Sequence, residues 1–140
     1  MSTTAHNSYK NAAINTADRG KLVVMVYDHC IQWCDHALEA GSNLETRRKA
    51  IDKSQAGLTE LICALDMERG GDIARNLWRL YDFMAWTLTQ SLVNRSDKGI
   101  KEVRHLLSEL RSAWQVASED VRRTQPDLVA GQPRSLALLG

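Results

Sequence analysis

The sequence predicts an all-α protein: an antiparallel up-down-up-down four-helix bundle preceded by an N-terminal arm. Three observations carry this. Both prolines, Pro126 and Pro133, fall in the last fifteen of 140 residues, so the preceding 125 contain no residue that forbids a helix interior. Four long stretches place their apolar residues at helical spacing. The breaks between them are only two to four residues long, which makes sequential helices antiparallel neighbours.

The elements follow in order. Residues 1–17 are rich in Ser, Thr, Asn and Ala and are expected to form the arm. The first helix is expected from about Arg19 to Ala40, with Asp18 as N-cap and Gly41 just past its end. Its apolar run Leu22-Val23-Val24-Met25-Val26 would also suit a buried strand. The continuation through Cys30, Ile31, Trp33, Cys34, Ala37 and Leu38 keeps a helical period and decides for helix. The second helix begins at Ser42-Asn43-Leu44-Glu45, which fits a capping box, and is expected to run to Arg69. Gly70-Gly71 then breaks the chain, and Asp72 caps a third helix over about Ile73 to Val93. Asn94-Arg95-Ser96-Asp97 leads to a fourth from Lys98 to Arg123, which closes the bundle of residues 18–123. Thr124 to Gly140, with both prolines and few charges, reads as a flexible tail.

Composition excludes several classes of function. A net charge of +1 and a single basic run, Arg47-Arg48-Lys49, with no interleaved aromatic residue, argue against a nucleic-acid partner. The longest purely apolar run has five residues where a membrane span needs ~20. The first residues show neither a basic nor an apolar targeting region, and three cysteines make no disulfide framework. A cytoplasmic protein with reduced thiols is expected.

Candidate chemistry is sparse. Cys30 and Cys34 share a helix face, but His29 and His36 point to another side, and no further ligand motif accompanies them, so neither metal nor cofactor is expected. Gly70-Gly71 follows a helix rather than a strand and lacks the rest of a phosphate loop. His105 lies on the solvent side of the fourth helix, and the scattered carboxylates form no acid–base pair. Enzyme activity has no support.

The distribution of apolar surface is more informative. At roughly 100° per residue, the second and fourth helices carry single core stripes: Ile51, Leu58, Leu61, Ile62 and Leu65 in one, Ile100, Val103, Leu107 and Trp114 among others in the other. The first and third helices are wider. Met25 projects into the polar side of the first, and in the third Trp78 and Tyr81 widen the stripe while Phe83 and Trp86 point elsewhere. No helix of a four-helix bundle is wholly central, so part of this surface is expected to be covered, by the arm through Tyr9 and Ile14 or by a partner helix in a groove. The plainer alternative is that most of these aromatics are core. A helical adaptor or regulator binding some other amphipathic partner also fits this surplus.

Four blocks of sequence add to this reading. Tyr9 to Leu22, Met25-Val26-Tyr27-Asp28, Leu65 to Leu77 followed by Leu80-Tyr81-Asp82-Phe83-Met84, and Ile100-Lys101-Glu102-Val103 with Leu106-Leu107 and Ala113-Trp114 occur in order over about Tyr9 to Ala117. Together the chain resembles the flagellar export chaperone FliS family. Arg19 stands where many members have proline, Val26 replaces Leu, His29 replaces a small residue and Phe83 replaces Tyr. The resemblance implies a bundle that binds the disordered C-terminal segment of flagellin one-to-one in the cytoplasm, prevents premature polymerisation and assists type III flagellar export. It also implies that Tyr9 and Ile14 cap the client groove in the free protein, and names export-gate components and regulatory proteins as further candidate partners. The expected client contacts are Met25, Tyr27, Trp78, Tyr81 and Trp86, together with Leu106 and Leu110. The competing reading of Tyr27 and Tyr81 is that they pack the first helix on the third.

Overall fold

The computed structural model describes Ser2 to Thr124, with side chains described from Arg19 to Asp120. These residues form four helices packed as a bundle: α1 (Ser2–Glu39), α2 (Leu44–Cys63), α3 (Met67–Asn94) and α4 (Lys98–Thr124). None of them is long and apolar enough to cross a membrane.

Three boundaries differ from the sequence expectation, each for a local reason. Helical backbone runs unbroken from Ser2 through Asp18, so the first helix does not start at Arg19. Ser2 to Asp18 contains four alanines and neither glycine nor proline, which leaves nothing to stop a helix. The capping role expected of Tyr9 and Ile14 concerns side chains outside those described, and residues 125–140 of the expected tail also lie outside them. At α2 the cap is Asn43 rather than Ser42: its backbone is extended and its Oδ1 accepts from Thr46 N–H at 3.1 Å. Glu45 does not reach back to close a capping box and instead pairs with Arg48 at 2.8 Å.

The third difference is larger. α2 ends at Cys63, not Arg69, because Asp66 begins the next helix by accepting from the N–H groups of Glu68 and Arg69. Aspartate is among the strongest N-caps, and here it takes over before the glycine pair is reached. Gly71 (φ 55°, ψ −127°) therefore lies inside α3 as a kink after its first turn, a conformation glycine adopts with little strain. The straight stretch expected over Ile73 to Val93 follows that kink. Between α3 and α4 the chain turns where expected, with Arg95 in the left-handed region and Ser96 N–H donating to Ser91 O at 3.1 Å.

α1 packs against α2 and α4, and α3 packs against the same two helices, so α1 and α3 sit diagonally. Cross-links fix the direction of α1 against its neighbours. Arg19 donates to Ala64 O at 3.2 Å and Ser54 donates to Cys30 O at 3.1 Å, so positions rise along α1 as they fall along α2. Against α4, Gly20 lies on Ser118, Asp28 pairs with Arg111, and Asp35 pairs with Arg104. The α1–α2 approach is close at Gly57, where a Cβ would stand 2.4 Å from Cys30 Sγ.

Across the diagonal the core is bridged by aromatic side chains. Tyr27 of α1 and Tyr81 of α3 are fully buried, their hydroxyls 2.5 Å apart, and Trp114 of α4 donates its Nε1–H to the Tyr27 hydroxyl at 2.8 Å. Ile51, Leu58, Met84, Leu88, Ile100 and Leu107 fill the space around them.

Removing the Tyr27 hydroxyl (Tyr27→Phe) strands the Trp114 N–H without an acceptor and is expected to destabilise the protein by about 1–3 kcal/mol in urea unfolding. Tyr81→Phe leaves the Trp114–Tyr27 bond intact and should cost less, about 0.5–1.5 kcal/mol. Stability is also expected to fall on the alkaline side. Burial pushes the Tyr27 and Tyr81 phenols and the Cys30 and Cys34 thiols above their ordinary values of 10.0 and 9.0. The unfolded chain therefore releases these protons first. Their contribution is fully present below pH 9.0 and declines as pH rises, first through the thiols and then through the phenols. Urea midpoints measured from pH 7 to 11 check this.

Candidate functional site

The structure sorts the predicted contact residues into three groups. Tyr27 and Tyr81 are 0% and 1% exposed and pack the first helix on the third, the competing reading of these two residues. Each has an aromatic body wide enough to reach the bundle's centre and a hydroxyl that finds its partner there, which lets a polar tip be buried without loss. Met25 and Trp86, 57% and 59% exposed, point to solvent, as does Trp78. Leu106 and Leu110 are half-buried and packed against the core.

These residues do not form one groove. Because α1 and α3 are diagonal, the outward face of α1, with Met25 and the exposed Leu22, lies on the opposite side of the bundle from the outward face of α3. On α3 the apolar positions are continuous. Thr87 and Ser91 contact Gly99 of α4, so Leu80, seven residues before Thr87, and Leu106, seven after Gly99, face each other farther along the same seam. Leu77 and Leu110 extend it, all four being half-buried. Phe83 is next round the helix, exposed and stacked on Trp86 with ring centroids 6.5 Å apart. Gln55 of α2 donates to Ala85 O at 3.0 Å and Thr89 Oγ1 at 2.8 Å, which closes the other edge. Trp78, seven residues before Ala85, lies along that edge.

Over this face is an open cleft of about 440 Å³, lined by Gln55, Arg79, Asp82, Phe83, Trp86 and Thr89 among others. It combines two aromatic rings with one residue of each charge and two neutral polar ends, a surface suited to an apolar segment with a polar back. Phe83 is a lining residue that was not among the expected contacts. Its place on the helical wheel, between the seam and Trp86, was the available signal.

The thiols are structural. Cys30 Sγ donates to Ser54 O at 3.6 Å and Cys34 Sγ lies 3.5 Å from Ser54 Oγ. Burial pushes the Cys30 thiol up to about 12. His29 and His36 flank Trp33 on the outside of α1, His29 against Lys53 O and His36 against Glu39, away from both sulfurs. Among the described residues no group of three His, Cys, Asp or Glu could hold a metal ion.

With this geometry in place, comparison with known proteins gives a consistent picture. The family described as "Flagellar protein FliS" matches residues 1–121. The chain is 34% identical over 113 residues to the flagellar secretion chaperone FliS of Salmonella typhimurium, covering 76% of this chain and 82% of the relative. It is 30% identical over 112 residues to that of Campylobacter jejuni (79% and 88%) and 26% identical over 120 residues to that of Bacillus subtilis (84% and 89%).

The burial pattern predicts thiol chemistry directly. In the native protein only Cys63, the exposed cysteine, should react with a water-soluble thiol reagent at neutral pH, with Cys30 and Cys34 reacting once the protein is unfolded. Counting modified thiols by mass spectrometry before and after denaturation checks it.

Proposed function

We propose that this chain, which belongs to the FliS family, is a cytoplasmic flagellar secretion chaperone that holds the disordered C-terminal segment of flagellin one-to-one. Held in this way, flagellin is kept from polymerising before export. The observation that supports this reading is the continuous apolar face of α3, from the half-buried seam with α4 across Phe83 to Trp86. The names of the relatives support the chaperone role, and the chemistry of the face supports a client with apolar side chains.

Magnitudes favour an apolar grip. A segment that orders on binding loses ~2–5 kcal/mol. Ion pairs at this exposed surface contribute only ~0–1 kcal/mol each. Aromatic side chains bury ~150–250 Å² each, and covering the exposed half of one is worth about 2–3 kcal/mol at ~25 cal/mol per Å². Two or three such contacts outweigh the ordering cost. No step in this mechanism needs a nucleotide: the client is retained by burial of its own apolar side chains.

Met25 belongs to the same proposal through length. A segment of ~40 residues spans about 60 Å even if wholly helical, long enough to pass from α3 round the bundle to α1.

Titration calorimetry with the C-terminal ~40 residues of flagellin is expected to give one-to-one binding with a negative heat-capacity change and weak dependence on salt. Trp86→Ala combined with Phe83→Ala should weaken binding by more than about tenfold while leaving the melting temperature nearly unchanged, because both side chains are exposed. Met25→Ala should weaken it by a smaller factor. A folded protein that ignores the peptide overturns the flagellin assignment.

A further inference from the structure

At the end of the bundle where the α1–α2 and α3–α4 connections meet, a cavity of about 400 Å³ is lined by Gly41, Ser42, Leu44, Arg47, Arg95 and Asp97. Arg47, in the first turn of α2, is only 3% exposed. Its Nη1 donates to Asp97 Oδ1 at 2.7 Å, which ties the start of α2 to the start of α4. Its other two nitrogens, Nε and Nη2, are buried and have no hydrogen-bond partner.

The identity of the unpartnered atoms matters. Nε and Nη2 form one edge of the guanidinium plane, and their parallel N–H groups match the two oxygens of a carboxylate or phosphate. Asp97 uses a single donor at the far corner and leaves that edge free. A structural salt bridge made for stability alone would be expected to use the edge, since a buried donor without a partner is costly.

Charge points the same way. Arg47 and Arg95 against Asp97 leave one net positive charge at the cavity, and Arg95 forms no ion pair among the described residues. Arg95 is held there by its left-handed backbone (φ 54°), which terminates α3. Leu44 adds an apolar wall. The cavity is several times the size of a lone inorganic anion, with room for a carboxylate carrying a short apolar group.

We propose that this cavity is a binding site for an organic carboxylate, seated side-on against the Nε–Nη2 edge of Arg47, with Arg95 as the second cation and Leu44 against the ligand's apolar part. The site is separate from the α3 face and does not depend on the flagellin reading. Leu44 and Arg95, which line the cavity, are both exposed. The carboxylate could come from a peptide chain end or from a free small acid.

The test is a titration of the intact, isotope-labelled chain, followed by NMR at constant ionic strength, with N-acetyl-leucine, acetate and inorganic phosphate as probes. Saturable shifts of the Arg47 Nε–H and of the Ser42 and Leu44 amides are expected, with N-acetyl-leucine binding more tightly than phosphate. Acetate binding as tightly as N-acetyl-leucine overturns the contact with Leu44, and weaker acetate binding supports it. Arg47→Met bears on the fold as well as the site, so the decisive variant is Arg95→Asn, which tolerates the left-handed backbone and should weaken N-acetyl-leucine by about tenfold. An Arg47 Nε–H that does not respond to any probe means a solvent cavity only and overturns the proposal. Phosphate binding more tightly than both carboxylates overturns the ligand class, and an unchanged affinity in Arg95→Asn overturns the two-arginine site.

Discussion

The hydroxyl contact between Tyr27 and Tyr81, supported by the Trp114 indole, sets the geometry on which the rest of the bundle depends. α1 and α3 do not pack backbone against backbone; they meet only through side chains long enough to cross the centre. Placing a phenol from each helix in that space fixes the rotation of both about their axes. Once Tyr81 points inward, Met84 and Leu88 follow it on the same face, and Trp86 and Phe83 are turned out to solvent. The outer surface of α3 is therefore a consequence of how its inner surface is anchored. The same anchoring turns Met25 outward on the far side.

Much of this fold was legible in the sequence. The helical period, the lack of proline before Pro126 and the short connections suffice for four helices, and the turn at Arg95–Asp97 is where its residues place it. The failures came where two good local signals competed. Gly70-Gly71 is a stronger helix breaker than Asp66 on composition alone, yet Asp66 comes first and satisfies two free N–H groups at once, which leaves Gly71 to bend a helix already begun. Ser42 and Asn43 are both able caps, and only the backbone decides between them. Ser2 to Asp18 shows the reverse problem, since a helix without a breaker is hard to see in the sequence when its apolar pattern is weak.

The candidate site was legible in kind but not in detail. A helical wheel gives the angle of a side chain and not its depth. Tyr27 and Tyr81 sit at the margins of their stripes, where an edge position and a core position have nearly the same angle. What separates them is the partner each hydroxyl finds, and those partners lie 54 and 87 residues away in sequence. Trp86 is exposed, as its angle suggested, and so is Trp78, although its angle placed it at the stripe's margin beside Tyr81. Leu106 and Leu110 could be placed on the fourth helix's stripe, but that α3 leaves their side of it half-open depends on the packing of a different helix.

One division of labour runs through the molecule. Stability rests on buried groups whose polar atoms are satisfied: the phenol pair, the Trp114 indole, and the Ser54 hydroxyl between two thiols. The surface ion pairs, among them Arg104–Asp35 and Arg111–Asp28, join α1 to α4 but are open to solvent and contribute little to that sum. Arg47 fits neither class. It is buried as deeply as the core, yet two of its three guanidinium nitrogens make no hydrogen bond. The aromatic residues on the outside of α3 are the converse case: apolar groups left in water although the core beside them is complete. A bundle optimised only for its own stability would bury the second kind and replace the first. Both features are what the two proposed binding sites would use.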